Sequence, residues 1–121
     1  MSADGRRFRR VYSEIQKNTF FFKVNAMLIS LEHRYYGKSI PVSDLTTENM
    51  KYCNHNQALA DLANFVDVQG KAMNLTEEKW ITFGGSYPGM MAGWARLKFP
   101  TAIYASVASS APVQAQVNSF F

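Results

Sequence analysis

The chain has 121 residues, of which 47% are hydrophobic, 14% aromatic and 18% charged, enough for one small folded domain and well away from disordered composition. Its formal charge of +4 is concentrated: residues 1–40 carry eight Lys/Arg against three Asp/Glu, and residues 41–121 carry five against six. The surplus resides in Arg6, Arg7, Arg9 and Arg10 rather than along a folded face, which argues against nucleic-acid binding, and no apolar run approaches the roughly 18 residues of a membrane span.

Met1 to Arg10 is arginine-rich and leads into Val11-Tyr12-Ser13-Glu14, so it does not read as a secretory signal peptide, which needs an apolar stretch there. A short helix is expected over residues 11–25. Ala26 to Leu31 is a short, nearly continuous apolar run, the pattern of a strand buried on both faces. It passes into Glu32-His33-Arg34-Tyr35-Tyr36-Gly37, and Pro41 to Tyr52 reads as a loop with Asp44, Thr46 and Thr47 as turn or cap residues. Cys53, the single cysteine, excludes an internal disulfide or a cysteine-based metal site. It is either a free buried thiol or paired with a cysteine outside this sequence.

Asn54 and Gln57 have the spacing of a capping box. Leu59, Leu62, Ala63 and Val66 then recur at helical spacing, which predicts an amphipathic helix over residues 55–68. Asn74-Leu75-Thr76 is a glycosylation sequon in a loop. Trp80 to Phe83 reads as a strand and Gly84-Gly85 as a tight turn. Tyr87 to Phe99 reads as a helix with Met90, Trp94 and Leu97 on one face, stopped by Pro100. Ala102 to Ala108 reads as another buried strand. Strands alternating with helices imply an α/β fold with a parallel sheet.

Gly84-Gly85-Ser86-Tyr87-Pro88-Gly89 lies between the predicted strand and helix, the context of a nucleophile elbow. The serine of such an elbow occupies a strained turn that projects its Oγ above the sheet, and Gly84 removes a collision across the bend. Pro88 stands where the strict pattern has a small residue, but it falls in the first helical turn, which tolerates proline. Gly89 and Gly93 let the helix approach the sheet. The backbone N–H of Tyr87 is the candidate oxyanion donor. Neither phosphate-binding pattern, G-x-x-x-x-G-K-[ST] or G-x-G-x-x-G, fits these residues.

GGSYPGMMAGWARLKFP followed by IYASVASSAPV resembles the nucleophile region of the serine peptidases that include prolyl carboxypeptidase, dipeptidyl peptidase II and thymus-specific serine protease. LEHRYYGKS at 31–39 and QALADLANF at 57–65 match upstream in the right order. The elbow and the ASVASSAPV ending look more like the thymus-specific branch. The resemblance implies an α/β-hydrolase fold with a Ser-Asp-His triad and no cofactor. It also implies a peptide substrate, cleaved next to proline in the two other, well-defined branches, and secretory, lysosomal or extracellular residence. On that match residues 1–121 are an internal piece of one catalytic domain, truncated at both ends. The helical cap is then missing, as is the preceding loop that supplies the second oxyanion donor. Ser86 is the nucleophile by the same match.

The triad order Ser, then Asp or Glu, then His along an α/β-hydrolase chain argues against His33, His55 and Asp61, which all precede Ser86. The 35 residues after it contain no Asp, Glu or His. His33 is assigned a structural role with Glu32 and Arg34, His55 an exposed position near a helix start, and Asp61 the polar side of a helix. The chain alone is therefore expected to be inactive. Two other readings are a truncated product or pseudoenzyme acting as an interaction module, and a lipase or esterase. The lipase reading leaves the EHRYYG and QALAD blocks unexplained. Oligomeric state is not legible.

Overall fold

The computed structural model describes residues 23–114, and packing divides the chain into two compact units, Met1–Asp44 and Leu45–Phe121. The helix expected over 11–25 lies outside the described residues except for its last few, where Lys23 is helical and Val24-Asn25 already turn.

In the first unit the strand expected at Ala26–Leu31 is not formed; the segment is irregular, with Met27 and Leu31 exposed. A strand exists by exchanging ladder hydrogen bonds with a neighbour, and none is present for it among the described residues. The following block folds around Glu32, whose carboxylate accepts from the Lys38 N–H at 3.1 Å and the Ser39 hydroxyl at 2.8 Å. The Tyr35 N–H donates to Ser39 O at 2.9 Å and the Ser39 N–H to Tyr36 O at 2.9 Å, closing the loop. Gly37 has φ +54°, and a Cβ there would strike the Glu32 carboxylate, so the turn requires glycine. His33 donates from Nδ1 to the Arg34 carbonyl at 2.6 Å and packs edge-on against Tyr36 at 5.1 Å.

The second unit begins with a short 3₁₀ turn, Asn49–Tyr52, inside the expected loop. Helix α1 spans His55–Ala72. Asn54 caps it by accepting from the Gln57 N–H at 3.0 Å, and substituting Asn54 with alanine is expected to cost about 1 kcal/mol in urea unfolding. The helix runs past the predicted end at residue 68 because the stop is Asn74, not Gly70. Asn74 adopts φ 53°, its N–H bonds Lys71 O at 3.2 Å, and the Leu75 N–H bonds Gly70 O at 2.8 Å. These two bonds make a Schellman motif with asparagine in the left-handed position. Lys71 pairs with Asp67 one turn back at 2.7 Å on an exposed face, which contributes only a few tenths of a kcal/mol. Nothing lies within 4 Å of a Cβ built on Gly70. Gly70→Ala should therefore raise stability by about 0.5–1 kcal/mol through helix propensity, read as a higher urea midpoint.

Strand β1 is Ile81–Gly85, helix α2 is Tyr87–Lys98, and strand β2 is Ala105–Ser109. The strands pair in parallel with Ile81 opposite Ala105, Phe83 opposite Val107 and Gly85 opposite Ser109, so β1, α2 and β2 form one βαβ unit. The first strand carries the glycine pair inside its ladder, which corrects the reading of Gly84-Gly85 as the turn. The second begins later than predicted because Ala102 and Ile103 turn back to donate to Phe99 O at 3.1 and 2.9 Å. Phe99, preceding Pro100, leaves helical geometry at φ −127°, ψ 59°, as the residue before a proline must.

Leu59 and Val66 from α1, Ala95 from α2 and Ile103 form the buried core, flanked by Leu62, Trp80, Met91, Trp94 and Phe99. The fully buried residues of α2 are Gly89, Ala92 and Ala95; of the predicted Met90-Trp94-Leu97 stripe, Trp94 packs against the core, Met90 is half-buried and Leu97 is 77% exposed. Small side chains win these positions because they let the helix axis lie close over the strands.

Candidate active site

Ser86 joins β1 to α2. Its backbone has φ 57°, ψ −127°, a region non-glycine residues occupy at a cost of about 1–3 kcal/mol and which clusters at functional sites. Two backbone bonds hold it there: the Ser86 N–H donates to Ser109 O at 3.0 Å, and Ser86 O accepts from the Met90 N–H at 3.1 Å. The conformation also decides what the side chain does. A serine at a helix N-cap ordinarily has extended φ/ψ and places its oxygen on the N–H of the second or third helical residue. Ser86, exposed and turned out of that geometry, makes no such cap bond, and its hydroxyl stays available for chemistry.

The neighbours are chosen for size. A Cβ on Gly84 would collide with the Pro88 carbonyl and lie 2.7 Å from the Gly89 nitrogen. A Cβ on Gly89 would lie 2.7 Å from Ser109 O, the oxygen that receives the Ser86 N–H, and 3.2 Å from the Ala111 Cβ. Gly84 and Gly89 thus act through absent side chains, since neither has a positive φ. Gly93 is different: a Cβ there would make an ordinary 3.6 Å contact with Ala108. Pro88 sits in the first turn of α2, where its missing N–H breaks no helical bond. Tyr87 is the first residue of α2. An α-helix directs the N–H groups of its first turn out past its end, where the dipole favours negative charge.

The other titratable candidates of the second unit lie on or just before α1. The exposed His55 opens α1, with its ring 5.4 Å from that of Trp94. Trp94 lies seven residues, roughly 10 Å of helix, beyond Tyr87. Asp61 is half-buried on α1 and Cys53 is a half-buried free thiol. His33 belongs to the first unit. Among the described residues no cluster of three or more His, Cys, Asp or Glu could hold a metal ion, and no helix is long and apolar enough to cross a membrane. Sequence reasoning misses Ser109, whose carbonyl accepts the Ser86 N–H. The available signal was register: a parallel partner strand ending in small residues puts Ser109 beside Gly85.

This arrangement, an exposed serine in a strained strand–helix junction over a helix N-terminus, coincides with a family match over most of the chain. Residues 11–121 match the family described as serine carboxypeptidase S28. The chain belongs to the serine carboxypeptidase S28 family. Among curated relatives of this S28 chain, the human thymus-specific serine protease is 50% identical over 94 residues, covering 77% of this chain and 18% of that protein. The mouse thymus-specific serine protease is 47% identical over 94 residues, with the same coverage of 77% and 18%. Human lysosomal Pro-X carboxypeptidase is 38% identical over 95 residues, covering 75% and 19%. The S28 chain thus spans about a fifth of the length of the curated relatives it matches.

Proposed function

We propose that this chain carries the nucleophile region of an α/β-hydrolase-fold serine exopeptidase, with residues 1–121 part of one catalytic domain. Ser86 Oγ attacks the peptide carbonyl while a histidine takes its proton, and the Tyr87 N–H donates to the tetrahedral oxyanion. The amine leaves and water releases the acyl group from Ser86. No Asp, Glu or His follows Ser86 here, so the histidine and the carboxylate that orients it come from the remaining length of the protein, together with the helical cap and the second oxyanion donor. The single observation that carries this reading is the strained, exposed Ser86 between β1 and α2.

The sheet supports the larger domain. Its face away from α2 exposes Ile81, Phe83 and Val107, whereas parallel sheets are covered on both faces. Cleavage beside proline and residence in the secretory pathway or lysosome are the finer parts of the proposal, favoured by the names of the Pro-X and lysosomal relatives. The test is fluorophosphonate labelling of the folded full-length protein with peptide mapping, followed by hydrolysis of matched peptides with and without proline beside the scissile bond. Label on Ser86 and faster cleavage of the proline peptides are expected. A folded protein that takes no label would favour an interaction module instead.

A further inference from the structure

We infer that Asn74 is an N-glycan acceptor placed at the end of the sheet away from the nucleophile. Asn74-Leu75-Thr76 has the acceptor sequence, and both Asn74 and Thr76 are exposed in the turn that closes α1. Asn74 contributes to that turn through its backbone: φ 53° and an N–H bonded to Lys71 O at 3.2 Å. The helix stop therefore uses the main chain and leaves the amide side chain to be modified without undoing the cap. In the transfer, Asn74 Nδ2 bonds to the anomeric carbon of a lipid-diphosphate-linked oligosaccharide, the lipid diphosphate leaves and the amide loses one proton.

Position matters as much as exposure. Leu75 lines an open groove with Val66, Glu78, Trp80, Thr101 and Ala102, and these last residues lead into the N-terminal ends of β1 and β2. Ser86 follows the C-terminal end of β1, about 16 Å of strand away. A bulky, hydrated glycan at Asn74 thus shields the strand-entry end while leaving the face used by substrate open.

This inference rests on the secretory residence proposed above, and the test separates the two. The full-length protein would be produced in a eukaryotic secretory host behind a cleavable signal, so that entry is verified by signal removal. Expected are a glycosidase-sensitive band shift and conversion of Asn74 to Asp on enzymatic deglycosylation. The shift should shrink by one glycan, and the Asn74 conversion should disappear, in both Thr76→Ala and Asn74→Gly, each of which keeps a residue suited to the left-handed cap. Ser86 labelling should be unchanged in Thr76→Ala. An unmodified Asn74 in signal-processed, folded protein would overturn the acceptor assignment. Localisation of the native protein outside the secretory route would instead overturn the residence on which it rests.

Discussion

If the proposed function holds, replacement of Ser86 by alanine should abolish fluorophosphonate labelling of the full-length protein and lower its peptidase kcat by about 10⁶-fold, the loss seen when a triad serine is removed. The residual rate would come from peptide binding and the proposed oxyanion donors, which do not depend on the hydroxyl. Alanine retains Cβ, so it inherits the φ 57°, ψ −127° geometry and the anchoring by Ser109 O. Its urea midpoint should stay near that of the parent.

Ser86→Gly provides the complementary result. It is equally inactive, yet glycine occupies positive φ without the Cβ penalty, so it should be more stable than Ser86→Ala by about 1 kcal/mol or more. The two variants separate loss of the nucleophile from relief of strain. Retained activity in Ser86→Ala would place the nucleophile elsewhere. Equal midpoints for the alanine and glycine variants would mean that the elbow stores no strain.

The parts of this architecture legible in the sequence are those set by local chemistry. Asn54 and Gln57 mark the start of α1 because capping is decided within four residues, and Pro100 marks the end of α2 because proline constrains its own neighbour. The placement of Ser86 between a strand and a helix is legible because an apolar strand pattern, a glycine pair and a helical pattern stopped by Pro100 follow one another directly.

What the sequence obscured depends on partners distant along the chain. Ala26–Leu31 has the composition of a buried strand, but composition does not supply a ladder neighbour. The face α2 buries is settled by how closely it approaches the sheet. That closeness favours Gly89, Ala92 and Ala95 over the larger Met90 and Leu97, inverting the usual equation of large apolar residues with the core. Gly84 and Gly85 read as a turn because glycine serves both flexibility and close approach, and sequence alone does not separate the two. The structure does: they lie in β1, and the left-handed backbone falls on Ser86.

That distinction yields a ranking among four glycines. Gly84→Ala should destabilise the protein by about 3 kcal/mol or more, because the added methyl meets the Pro88 carbonyl and the Gly89 nitrogen. Both are backbone atoms in the first turn of α2, and they yield only by unwinding the helix start or lifting α2 from the sheet. Gly89→Ala should also destabilise and should slow Ser86 labelling, since its methyl would press on Ser109 O at 2.7 Å, the acceptor that holds the Ser86 N–H. Gly85→Ala meets nothing within 4 Å and Gly93→Ala makes only a 3.6 Å contact with Ala108. The first should be tolerated, and the second should gain up to about 1 kcal/mol of helix propensity. Urea midpoints and labelling rate constants measured across the four variants check this order. A Gly84→Ala protein with the parent's midpoint, or a Gly85→Ala protein as damaged as Gly84→Ala, would show that close approach of α2 to β1 is not what the GGSYPG sequence encodes.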